Sequence, residues 1–134
     1  MLLAGDIGGT KTHLAIYSLE DGPRAPLIDK RFPSKDYPNL ASILQEFLAG
    51  TDLPVDRAAF GVAGPVVAGE ATVTNLPWVI RESRLSEVLG FSSVSLLNDL
   101  QAVAYSVPFL DDDDLHTLND AEPEAGGTIA VIAP

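Results

Sequence analysis

Eight residues, Gly5-Asp6-Ile7-Gly8-Gly9-Thr10-Lys11-Thr12, constrain this chain more than any other stretch. An apolar run, Met1 to Ala4, leads into them, and an alternating run, His13 to Ser18, leads out. That pattern reads as strand, tight Gly-Gly turn, strand. Without Cβ atoms the two glycines let backbone N–H groups approach a ligand closely, and such a nest, with a hydroxyl and a cation beside it, suits a phosphate oxygen. The carboxylate just ahead suits a hydrated magnesium ion. The expectation is a hairpin that grips the terminal phosphates of ATP. It is not a Walker A loop, because no Gly-Lys-[Ser/Thr] follows four residues after a glycine, and Gly-x-Gly-x-x-Gly is also absent. An ordinary hairpin that contains Gly-Gly is the alternative. Asp6 favours the ligand site, since a carboxylate ending an apolar strand costs free energy unless something pairs with it.

The chain has 134 residues, the size of one domain with a real core. Hydrophobic content of 46% and charged content of 20% describe a soluble globular chain. No apolar run has spanning length, and Met-Leu-Leu-Ala meets Asp6 too soon for a signal peptide, so no membrane partner is expected. With no cysteine there is no disulfide framework, thiol catalysis or Cys-ligated metal in this stretch, which fits a cytoplasmic setting. A net charge of −11 argues against a nucleic-acid face. Binding a polyanion such as ATP then needs local compensation, for which Lys11 and magnesium are the means.

Strands are expected at Leu2 to Ile7, His13 to Ser18 and Leu27 to Phe32, the third pairing antiparallel at the edge. A helix follows with Leu40, Ile43, Leu44, Phe47 and Leu48 on one face and Gly50 as its end. Arg57 to Val62 reads as a strand, and Val67 to Val73 as a short hairpin turning at Ala68-Gly69. Thr74 to Trp78 reads as an irregular segment whose tryptophan packs in the core. A second helix runs from Ser83 to Leu89, then a strand from Val94 to Leu97. A third helix presents Leu100, Val103, Ala104 and Val107, and Pro108 closes it. Asp111 to Asp114 reads as a solvated, self-repelling loop and not as a metal site. Thr128 to Ile132 reads as a last strand. Antiparallel strands followed by crossover helices give an α/β layer, a mixed sheet flanked by helices.

In such a sheet the ligand crevice lies off the carboxyl ends of the parallel strands, where Asn98-Asp99 falls. Asp is also a preferred helix N-cap, so a cap alone is one reading. The other notes that Asp6 and Asp99 end different strands and should open on one crevice. A carboxylate beside a bound alcohol can take its proton as the oxygen attacks a phosphoryl group. Asn98, both donor and acceptor, suits sugar hydroxyls.

Gly5 to Thr10 resembles the first phosphate motif of the sugar-kinase, actin and Hsp70 superfamily. Together with Ala63-Gly64-Pro65, Thr74-Asn75-Leu76-Pro77-Trp78 and Leu97-Asn98-Asp99-Leu100-Gln101-Ala102-Val103-Ala104, it is similar to the bacterial glucokinases along the entire chain. The resemblance implies an RNase H-like mixed five-stranded sheet, the actin-like ATPase lobe, and ATP-dependent phosphorylation of glucose at its 6-hydroxyl. It places Gly5, Asp6, Ile7, Gly8, Gly9 and Thr10 along the ATP phosphates, with Lys11 beside them and Asp6 helping to hold magnesium through water. Asn98 and Asp99 would bind glucose, Asp99 would be the general base, and Asn75, Gly64 and Pro65 would line the sugar cleft. Lys11 stands where many such glucokinases have Asn and the related ROK kinases have Lys. Rival readings are a ROK-like kinase for another hexose or amino sugar, and a non-catalytic sugar-sensing module. The family has two lobes, so residues 1–134 are expected to be the N-terminal lobe only. The full-length protein is expected to be a homodimer, and the isolated lobe inactive.

Overall fold

Alternation along the strands decides which residues meet the core. The computed structural model describes residues 1–119, 121, 124 and 126–132. In chain order its elements are β1 (Leu2–Ile7), β2 (Lys11–Tyr17), β3 (Ile28–Pro33), α1 (Leu40–Ala49), β4 (Arg57–Val62), β5 (Val66–Val67), β6 (Glu70–Thr72), β7 (Val79–Arg81), α2 (Glu82–Leu89), β8 (Ser93–Asn98) and α3 (Asp99–Ser106). The main sheet has five strands in the order β3-β2-β1-β4-β8. β1 pairs antiparallel with β2 and β2 with β3, whereas β1–β4 and β4–β8 are parallel. This is the mixed sheet expected from the sequence.

The register puts Leu3 opposite Ile16 and Ala58, and Ile7 opposite Thr12 and Val62, on one face. Leu3, Ile7, Leu14, Ile16, Phe60 and Val62 there are fully buried, in one cluster with Leu40, Ile43, Leu44 and Phe47 of α1. Each such side chain contributes about 1.5–3 kcal/mol of burial. Gly5 lies in this face, and a Cβ on it would come within 2.7 Å of Phe60 and 2.8 Å of Leu14. α1 is capped by Asn39, whose side chain accepts from the Ser42 N–H at 3.0 Å, and it ends at Gly50.

β5, β6 and β7 form a second, three-stranded sheet. Ala68 and Gly69 turn the expected hairpin with φ of 50° and 74°, both left-handed. β7 was not expected: Val79-Ile80-Arg81 is too short to show a period. Trp78 is buried, as expected. α2 ends at Gly90 in the left-handed region. Its Glu82 joins the two sheets. The Glu82 N–H donates to Gly69 O, and its Oε1 accepts from the Leu96 N–H of β8 at 2.7 Å. That carboxylate satisfies a donor on a sheet edge that has no further strand beside it.

Two expectations are corrected. α3 has no buried residue, and Leu100 and Val103 of the expected apolar face are 52% and 44% exposed. The stripe facing the sheet runs through Asp99, Ala102, Val103 and Ser106, rotated about 100° from the expected one. Thr128 to Ile132 forms no strand, and Ile129 and Ile132 are 75% and 92% exposed. Apolar character alone makes no strand when no sheet edge takes up its backbone. Ala133 and Pro134, after that run, lie outside the described residues. The Asp111–Asp114 run makes a short 3-10 turn at Asp112–Asp114, and Arg24 pairs with Asp111 and Asp114. Among the described residues no helix is long and apolar enough to cross a membrane.

Candidate functional site

The turn between β1 and β2 is closed by one bond, from the Gly8 N–H to Lys11 O at 3.0 Å. Among the described residues the Gly9 and Thr10 N–H groups donate to no protein acceptor, which leaves them available to an anion. Gly9 is required here by packing as well: a Cβ on it would lie 2.4 Å from the Thr74 carbonyl oxygen. Ile7 is fully buried, so only its backbone can face a ligand. Lys11 is exposed. Asp6 is exposed too, with no ion pair among the described residues. The sequence argument that Asp6 needs a partner therefore does not hold, because water already solvates it.

At the far side of the parallel strands, Asn98 rather than Asp99 caps α3. Its Oδ1 accepts from the Leu100 N–H at 3.1 Å, and its Nδ2 donates to Gly64 O at 2.9 Å. One amide hydrogen and one lone pair remain for a ligand. Asp99 Oδ1 also accepts from the Leu100 N–H, at 2.9 Å, while Oδ2 has no protein partner among the described residues. Gly64 is pressed against β6, since a Cβ on it would lie 2.1 Å from Thr72 O. The next segment is tied in by the Thr74 N–H, which donates to Ala63 O at 2.9 Å. Asn75 follows with φ of 64°, a left-handed position that Asn tolerates. The ends of β1, β4 and β8 thus converge with the Thr74–Asn75 turn.

Asp6 and Asp99 line one groove of about 520 Å³, together with Ala4, His13, Ala15, Ala59, Gly61 and Ala102. It lies on the sheet face opposite α1. Its floor is small residues, and α3 forms one wall. The two carboxylates belong to β1 and to the end of β8, two strands or about 10 Å apart across the sheet. Gly8, Gly9, Thr10, Asn75, Gly64 and Asn98 sit at the rim above the strand ends and outside the groove itself. Pro65 stands apart, on a shallow depression with Val67, Ala68, Glu70 and Thr72. His13 in the groove pairs with Asp29 at 2.9 Å.

Two carboxyls on other parts of the surface are held below their usual range. Glu46 is lowered by the Tyr37 hydroxyl and by Lys30, and Asp56 by the N-terminal ammonium and Arg57. Sequence reasoning missed Ser34, which is fully buried beside the Gly8-Gly9 turn. Nothing in the order of residues announces it, because its partner Gly8 is 26 positions away.

With that geometry in hand, likeness to known proteins becomes informative. A family model described as glucokinase matches residues 3–134. The glucokinase of Nostoc punctiforme is 39% identical over 134 residues, spanning 98% of this chain and 39% of the relative. That of Tolumonas auensis is 32% identical over 130 residues, spanning 97% of this chain and 40% of the relative. The chain therefore spans about two fifths of the length of these relatives. Among solved structures, a glucokinase from an Antarctic psychrotroph is 30% identical, with a TM-score of 0.74, over 84% of this chain and 36% of that one. A ROK family glucokinase from Streptomyces griseus, solved with glucose and AMPPNP, is 22% identical with a TM-score of 0.58, over 78% of this chain and 35% of that one. This second likeness speaks to the fold alone, the RNase H-like sheet of the actin-like ATPases. The matches at 30% identity or more are to proteins described as glucokinases, whereas the ROK family structure stands at 22%. The glycine turn and the strand-end carboxylates sit on a chain that belongs to the glucokinase family.

Proposed function

We propose that this chain is the N-terminal lobe of an ATP-dependent glucokinase, which transfers the terminal phosphoryl group of ATP to the 6-hydroxyl of glucose. The observation that carries the reading is the shared groove, with Asp6 at one strand end and Asp99 at another. About 10 Å across the sheet leaves room between them for a phosphoryl group and a hydroxyl. In this reading the N–H groups of Gly9 and Thr10, unpartnered among the described residues, donate to phosphate oxygens, and Lys11 offsets the phosphates' charge, as the −11 chain requires. Gly5, Ile7 and Gly8 contribute backbone to the same path.

A magnesium ion fits the donor set, because Asp6 is exposed beside the turn and unpaired among the described residues, the placement of a carboxylate that holds a hydrated ion through water. When bound, the ion neutralises charge on the phosphates. Asn98 offers its remaining donor and acceptor to sugar hydroxyls, with Asn75 and Gly64 beside it, while Pro65, on its separate depression, is left out of this reading. Asp99 Oδ1 is fixed by the Leu100 N–H, and that bond aims Oδ2 outward, where it takes the proton of the attacking hydroxyl. Such a step contributes about 10²–10⁴-fold, and positioning supplies most of the rest.

The relatives' length and the two-lobed resemblance support a second lobe that closes over the groove and excludes water. Purified residues 1–134 are accordingly expected to give no useful turnover with MgATP and glucose. A cytoplasmic homodimer is the expected state of the full protein. The test of the function is a kinase assay on the protein at its relatives' length, with a panel of hexoses and amino sugars. Glucose should have the highest kcat/KM, and omitting magnesium should abolish transfer. Preference for an amino sugar would move the assignment to another sugar kinase, and absence of any transfer would favour a sensing module.

A further inference from the structure

Thr12 and Ser34 are the two polar side chains buried completely among the described residues, both 0% exposed. A hydroxyl taken from water is costly unless bonded, so its place in the core marks bonds the fold relies on. Ser34 follows β3 and puts two bonds into the phosphate turn. Its N–H donates to Thr10 O at 3.0 Å, and its hydroxyl donates to Gly8 O at 2.8 Å. A hydroxyl has one proton, and that of Ser34 goes to Gly8. The Thr12 hydroxyl, 3.0 Å from Ser34 Oγ, is therefore the donor of that pair. The chain of bonds runs one way, from Thr12 to Ser34 to the Gly8 carbonyl.

The direction matters for the anion site. In a trans peptide the C=O and the following N–H point oppositely, and no described peptide is cis. Turning the Gly8 carbonyl inward onto Ser34 aims the Gly9 N–H outward, and holding the Thr10 carbonyl does the same for Lys11. Between two glycines the Gly8–Gly9 peptide has little steric preference of its own. Freed from Ser34, it can rotate and present a carbonyl oxygen to the phosphates. We propose that Ser34, held by Thr12, is a positioning residue of the phosphate site, setting the orientation of the N–H donors and hence the affinity for MgATP. This rests on the nucleotide reading above.

The test uses Ser34→Ala, Thr12→Val, their double variant and Ser34→Thr in the full-length protein, with MgATP and glucose varied separately. Ser34→Ala should raise KM for MgATP about three- to tenfold, the effect of a lost hydrogen bond. KM for glucose should stay within about twofold, since that site does not use the turn. Thr12→Val should act in the same direction more weakly, and the double variant should be no worse than Ser34→Ala, because both cut one chain of bonds. Ser34→Thr, which keeps the hydroxyl, should restore the MgATP value. A parallel rise in both KM values, or a shift in unfolding midpoint alone, would overturn the proposal. Should Ser34→Ala not fold, Thr12→Val, which removes the donor that fixes the Ser34 hydroxyl on Gly8 O, carries the same comparison with a smaller expected rise in KM for MgATP and none in KM for glucose. If the unsubstituted protein does not respond to MgATP, the nucleotide reading has failed by itself. The Gly9 and Lys11 amide resonances, compared between variant and unsubstituted chain, then still report whether Ser34 orients the turn: unchanged resonances refute it.

Discussion

The two faces of the main sheet are built from the same strands and differ in almost every physical respect. On one, Leu3, Ile7, Leu14, Ile16, Phe60 and Val62 are sealed in one core with α1. On the other, one residue further along each strand, Ala4, Asp6, His13, Ala15, Ala59 and Gly61 floor an open groove walled on one side by α3. Large side chains interdigitate and fix the sheet, while small ones leave a space in which two carboxylates stand in water. The difference teaches that stability and chemistry are divided by the pleat: a residue's parity along its strand decides which it serves.

The sharpest way to break this division is to substitute neighbours on opposite faces of β4. Phe60→Ala should cost about 3–5 kcal/mol in urea unfolding, whereas Ala59→Ser, on the groove floor, should cost less than about 1 kcal/mol. Equal losses would mean the groove face is packed as tightly as the core. Gly5→Ala comes next. Its new methyl would press on Phe60 and Leu14, and the expected loss is about 1–3 kcal/mol. Gly61→Ala probes the groove side of the same strand pair. A Cβ there meets Ala102 at 3.2 Å, so α3 must give by a few tenths of an ångström. Stability should change by less than about 1 kcal/mol, while kcat of the full-length protein falls measurably because Asp99 rides on that helix. A stability loss without a kinetic one would separate α3 from the chemistry.

The smallest effect lies on the rim of the packed face. Tyr37 and Lys30 hold the Glu46 carboxyl below its ordinary range. A group whose folded value is depressed contributes stability above its unfolded value and loses it as pH falls through the folded one. Between about pH 5 and pH 3 the unfolding midpoint should drop with a shallow slope, and Glu46→Gln should flatten it. An unchanged slope would show that this exposed trio contributes nothing to acid stability.

Much of this was legible in the order of residues, for identifiable reasons. β1, β2 and β4 are long and alternating, α1 carries a full apolar stripe, and Gly50 and Ala68-Gly69 punctuate where expected. The convergence of Asp6 and Asp99 followed from both ending strands. What failed needed neighbours that local sequence does not name. β7 is strand only because β6 lies beside it. Thr128–Ile132 has apolar character but no strand to pair with. α3 is apolar on more than one side, so its stripe could not be oriented from spacing, and its true contact, Ala102 on Gly61, is made by the least hydrophobic candidates. Asn98 took the cap that Asp99 was equally suited to fill. Ser34 lies in a polar loop by sequence and in the core by structure, because the turn's carbonyls bring it inward.

The most direct measurement is the pair of glucose affinity and turnover for Asp99→Asn in the full-length protein. Asparagine keeps the size and the Oδ1 acceptor for the Leu100 N–H but cannot take up a proton. Glucose binding should change by no more than about threefold while kcat falls by about 10²–10⁴. A folded variant with near-normal kcat would contradict the central claim and leave Asp99 as a helix-end residue beside the groove.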